Sequence, residues 1–180
     1  MPPDLPPPTP GQGRDTRNKP YPTMVVEVGL SESLVSLHDL ASEYFSPRTT
    51  IRVYLAIKLF TLRQDGTMAM LALLYFRNSP IPTMPVIVKS FGTAPLDQST
   101  ISYLVGIGVA HITGVGTPGA PACGAAGIPQ HVLNIPAAEI FAGSPGGILP
   151  GAANGFDLDL RLIQSQVLAE HVFVFCFTIT

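Results

Sequence analysis

The chain has 180 residues, of which 46% are hydrophobic and only 12% charged, with a net charge of −2. That length suits one globular domain burying roughly two thirds of its unfolded surface, and the near-neutral balance excludes the strongly basic footprint of a general nucleic-acid binder. The charged share is about half that of ordinary domains, so the surface calls for a partner or for self-association into a homo-oligomer.

Three segments differ in composition. Residues 1–20, MPPDLPPPTPGQGRDTRNKP, hold seven prolines and no aromatic residue, which predicts a disordered, polyproline-like leader. Residues 21–168 form the expected domain. Residues 169–180 are an apolar C-terminal tail whose VFVFCFTIT end is expected to pair as a strand or dock on a partner. No apolar run reaches the roughly 18 residues of a membrane span. Cys123 and Cys176 show no CxxC spacing and no signal-peptide pattern precedes them, which predicts a reduced, intracellular protein of the cytoplasm or nucleus with no membrane segment.

In chain order, Met24 to Val28 is a short apolar strand ended by Gly29. It carries a carboxylate, Glu27, at its centre. Burying an unpaired carboxylate costs several kcal/mol, so the position asks for a use. Ser31-Glu32-Ser33 then offers an N-cap, and Leu34, Leu37, Ala41 and Tyr44 recur at helical spacing, with Ser36, His38, Asp39 and Glu43 on the polar side. Pro47 stops this helix. Ile51 to Leu62 and Thr67 to Arg77 are β-rich runs joined by RQDGT, and Asp65-Gly66 suits a two-residue hairpin turn with positive φ. Met84 to Phe91 reads as the next strand, after a loop forced by Pro80, Pro82 and Pro85.

From Gly92 to Asn154 the richness in Gly, Ala and Pro predicts a long surface loop with apolar islands at Ile101 to Ile107 and His131 to Ile135. GIGVAHITGVGTPG within it contains GxG pieces, but not the strand-to-helix setting of a phosphate-cradling loop. Phe156 to Val167 begins with alternation and ends with helical spacing from Leu160, predicting a terminal helix; Asp157 and Asp159, on one side of the extended part, could bind a cation, but capping of that helix is the preferred role. His111, His131 and His171 lack metal-ligand spacing, and no Gly-x-Ser-x-Gly motif is present.

The strand Pro22-Thr23-Met24-Val25-Val26-Glu27-Val28, the turn Gly29-Leu30-Ser31-Glu32-Ser33, the helix with Asp39 and Tyr44, the strand Arg52 to Phe60 and the late segment Ile135 to Phe141 together resemble the Uma-type restriction endonuclease family of the PD-(D/E)XK nuclease superfamily. The resemblance implies an α/β or α+β, restriction-endonuclease-like core, lacking its first elements, with a mixed central β-sheet, a β-hairpin and flanking helices. It implies Mg²⁺-dependent hydrolysis of DNA phosphodiesters, with a strand Glu and an upstream Asp on the metal and a Lys orienting the attacking water. Glu27 maps onto the metal carboxylate. Thr23 stands where the local Pro-Asp pair would carry Asp, Gly29 where a Glu-x-Lys tripeptide would carry Lys, and Ser33 to Phe45 contains no Lys. Lys58, on the strand expected beside Glu27, is the cation that could substitute. These gaps imply weak or absent catalysis; the alternative is a non-catalytic binding or assembly module that keeps the fold. Taken as residues alone, Glu27 could equally be structural, capped by backbone amides or paired with Arg52 or Lys58.

Overall fold

The structure, a computed structural model, describes residues 23–142 and 147–176. The leader expected over 1–20 and the last four residues lie outside the described residues. The elements in chain order are β1 (Met24–Gly29), α1 (Leu34–Tyr44), β2 (Val53–Leu59), β3 (Ala69–Phe76), β4 (Ile87–Gly92), α2 (Gln98–Gly106), β5 (Thr113–Gly114), a 3₁₀ turn (Pro129–His131), β6 (Val132–Ile135), α3 (Ala137–Ile140), β7 (Phe156–Asp159) and α4 (Leu160–Cys176). The fold is mixed α and β. Its centre is a five-stranded sheet in the order β1-β2-β3-β4-β5, with β1 parallel to β2, an antiparallel β2-β3-β4 meander, and β5 parallel to β4.

All seven residues of β2 and seven of the eight in β3 are buried, because both faces of the sheet are covered. On one face Tyr54, Ala56, Leu71, Leu73 and Tyr75 pack against Leu37, Ala41 and Tyr44 of α1 and Leu104 of α2. On the other, Leu55, Ile57, Met70 and Leu74 meet Leu133 and Ile135 of β6 and Leu160 of α4. The antiparallel pair β6-β7 and α4 thus form a third layer.

Helix α1 starts where its cap chemistry directs: Ser33 Oγ accepts the Ser36 N–H at 2.9 Å. At Gly29 a Cβ would stand 2.8 Å from Leu37 Cδ1, so glycine lets the helix settle on the strand.

The hairpin forms as expected but turns differently. Arg63 O accepts from Gly66 N–H at 3.0 Å, and Arg63 N–H donates to Thr67 O at 2.8 Å, which makes Gln64-Asp65-Gly66 a three-residue loop rather than a two-residue turn. Gly66, at φ +77°, is its left-handed closing residue. The Asp65 carboxylate accepts from Thr67 N–H and Oγ1, contacts that the extra loop residue makes room for.

Two further expectations are corrected. The loop foreseen from Gly92 to Asn154 contains α2, whose N-cap Asp97 accepts the Thr100 N–H at 2.8 Å and whose Thr100 and Leu104 are buried; capping and one apolar stripe outweigh the glycines that follow. The GxG pieces begin at Gly106, the last residue of that helix, and Gly114 pairs closely with Ser90 in the sheet. Of the two expectations for the C-terminal tail, strand pairing or docking on a partner, strand pairing gives way to helix as far as Cys176, with α4 crossing position 168. A helix already nucleated gains a hydrogen bond for each residue added, which overrides the β preference of the segment. Among the described residues, no helix is long and apolar enough to cross a membrane.

Candidate functional site

Strand β1 lies at an edge of the described sheet, and its register fixes which face each residue serves. Val25 and Glu27 stand beside Tyr54 and Ala56, on the α1 face, while Met24, Val26 and Val28 stand beside Val53, Leu55 and Ile57 on the opposite face. Gly29 pairs with Lys58. Lys58 therefore occupies the α1 face, next to the position two residues after Glu27, and the two candidate residues share one face of two neighbouring parallel strands.

Their head groups are engaged at opposite ends of α1. Glu27 is half-buried, and its Oε1 accepts a hydrogen bond from Tyr44 Oη on the last residue of the helix. Burial first, and then this bond to the carboxylate, push the Tyr44 phenol well above its ordinary pKa. Lys58 is 8% exposed and its Nζ donates to Leu30 O at 2.8 Å, in the loop before the helix, with the Phe60 ring 5.7 Å away. Burial lowers the Lys58 pKa, and the nearby Glu32 opposes that shift. Neither of the ion-pair partners considered for Glu27, Arg52 and Lys58, supplies the contact the structure shows.

An aromatic row continues from Glu27 across the sheet. The rings of Tyr44 and Tyr54 are 5.1 Å apart and those of Tyr54 and Tyr75 5.3 Å. Tyr54 Oη donates to Leu37 O at 2.7 Å. His38, expected on the solvated side of α1, turns inward instead: its Nδ1 shares a hydrogen bond of 3.0 Å with Tyr75 Oη, and its ring meets Tyr103 of α2 edge-on. Burial lowers the His38 pKa, with Asp39 opposing. The residue that sets this end of the site, which sequence reasoning missed, is Arg77. Its guanidinium donates to the carbonyls of Tyr44, Phe45, Ser46, Thr49 and Ile51 and to Thr49 Oγ1, pinning the loop after α1 and so the hydroxyl that reaches Glu27.

The other candidate acids lie elsewhere. Glu32, Asp39 and Glu43 are exposed on the helix and its entry loop. Asp159 accepts from Arg161 N–H at the start of α4 and from Gly127 N–H, and Asp157 accepts from Asn134; both are on β7, whose Leu158 packs on the face opposite Glu27. Glu139 is on α3, whose Ile140 packs on that same opposite face. Among the described residues no group of three His, Cys, Asp or Glu is placed to hold a metal ion. One carboxylate already bonded to a phenol does not fit Mg²⁺, which surrenders its waters reluctantly and takes several oxygen ligands.

Comparison with protein families, with curated proteins and with solved structures finds no match.

Proposed function

We propose that this protein is an endonuclease-like protein directed at DNA phosphodiesters, with Glu27 as its metal-site carboxylate and Lys58 as its water-orienting cation, and that a single chain turns over slowly or not at all. The observation that carries this reading is the register of Lys58 with Gly29. In the restriction-endonuclease-like arrangement that the sequence resembles, position 29 would carry the lysine of Glu-x-Lys; here Leu37 crowds that position and a lysine stands directly across the strand pair, on the face of Glu27. The strand, helix and parallel strand β1-α1-β2 support the same core. The missing second carboxylate limits the activity, because one acid cannot hold the ion that the chemistry requires.

The engaged head groups favour a second reading, in which the domain keeps the fold as a non-catalytic binding or assembly module. Hydrolysis of plasmid DNA in Mg²⁺ or Mn²⁺, wild type against Glu27→Ala, separates the two. Slow cleavage lost in Glu27→Ala supports the nuclease reading over the module, and equal cleavage by both removes Glu27 from the chemistry.

A further inference from the structure

Pairing between β2 and β3 continues one step past the ends of both strands. Arg77 N–H donates to Arg52 O at 2.9 Å, next to the Val53–Phe76 pair. Two arginines thus stand opposite each other in an antiparallel pair, where like charges are destabilising. Burial first, and then the charge of Arg52, lower the Arg77 pKa. Among the described residues neither guanidinium donates to a carboxylate: Arg77 directs its donors to carbonyls between Tyr44 and Ile51 and to Thr49 Oγ1, and Arg52 Nε is enclosed without a partner.

The same corner holds three of the seven enclosed side-chain polar atoms that lack a hydrogen-bond partner among the described residues: Thr50 Oγ1, Arg52 Nε and Ser79 Oγ. Thr50 precedes Arg52 by two residues, and the turn in which Ser79 N–H donates to Phe76 O sets Ser79 beside the end of β3. A buried donor without an acceptor is unfavourable, and three such groups around a pair of like charges call for one shared acceptor of negative charge. Arg48 is exposed on the same loop, while Glu43, the nearest acid in sequence, is on the exposed side of α1.

We propose that Arg52, Thr50 and Ser79 bind a dianionic phosphate group, as inorganic phosphate or the head of a phosphomonoester, at this end of the β2-β3 pair. The guanidinium fork of Arg52 matches two phosphate oxygens with charge-assisted bonds, and the hydroxyls serve the others. Two facing cations suit a dianion better than the single charge of a phosphodiester. Arg77 has its donors committed and contributes charge. It also holds the loop that carries Thr50, which lowers the ordering cost of binding. The site is separate from Glu27, which lies on β1 and is bonded to Tyr44.

Calorimetric titration of the full chain at about pH 8, where the group is a dianion, in chloride buffer of matched ionic strength, tests this. Wild type should bind inorganic phosphate and methyl phosphate, the tighter of the two naming the source of the group. Dimethyl phosphate, a monoanionic diester, should bind about tenfold more weakly. Arg52→Gln should weaken phosphate binding about tenfold, and Arg52→Lys should recover only part, lacking the fork. Ser79→Ala changes no charge and should still weaken binding several-fold. Each variant is checked for folding by circular dichroism. Absence of phosphate binding to wild type, or dimethyl phosphate bound as tightly as phosphate, would overturn the proposal. So would binding unchanged in Arg52→Gln or, should that variant not fold, in Ser79→Ala.

Discussion

Tyr44 Oη donates its hydrogen bond to Glu27 Oε1, joining the last residue of α1 to the middle of β1. The bond answers why an apolar strand tolerates a carboxylate: the charge is half-buried but not unpartnered. Tyr44→Phe leaves the ring and removes the donor, and should cost about 1–2 kcal/mol in a denaturant titration. Glu27→Gln retains an acceptor and should cost less. Equal stability of Tyr44→Phe and wild type would show that the bond contributes nothing.

Arg77 supplies the donors that close the loop between α1 and β2. Arg77→Met would leave the carbonyls of Tyr44, Phe45, Ser46, Thr49 and Ile51 without that partner, for an expected loss of about 3 kcal/mol. Arg77→Lys should recover only a small part, since an ammonium cannot reproduce the guanidinium fork. If lysine restores wild-type stability, the fork geometry is irrelevant.

Gly66 tests the turn. A Cβ there meets nothing within 4 Å, so the cost of a substitution is that of the left-handed backbone alone. Gly66→Val should lose on the order of 1 kcal/mol or more, and Gly66→Asn clearly less. Equal melting midpoints for the two variants would contradict a left-handed residue 66.

His38 gives a pH dependence of defined sign. Its pKa is lowered in the folded state by burial, so the unfolded chain binds the proton more readily. The resulting contribution is complete above the unfolded value of about 6.5 and is lost as pH falls below it. Between pH 7.5 and 5, wild type should therefore lose more stability than His38→Gln, followed by thermal midpoint. Parallel curves would show that the imidazole is as easily protonated folded as unfolded.

What was legible in the sequence was local. The apolar run at Met24, the Ser33 cap with its four-residue spacing, the paired β runs around Asp65-Gly66 and the change of period at Leu160 each depend on neighbours within one element. The Glu27-Tyr44, His38-Tyr75 and Arg77-carbonyl contacts join residues 17 to 37 apart, and no periodicity encodes them. His38 misled because its neighbours on the helix are polar, while the space it fills is set by Tyr75 on β3 and Tyr103 on α2. Helix α2 was hidden by the glycines after it, although Asp97 followed by Thr100 and Leu104 was a readable start signal.

Calorimetric titration of tens of micromolar chain with Mg²⁺ and Mn²⁺, wild type against Glu27→Gln, tests most directly the claim that Glu27 belongs to a metal site one chain leaves incomplete. The account predicts millimolar or undetectable binding to wild type. Micromolar binding abolished by Glu27→Gln would contradict it, since a single chain would then hold the ion with ligands beyond the one carboxylate assigned here.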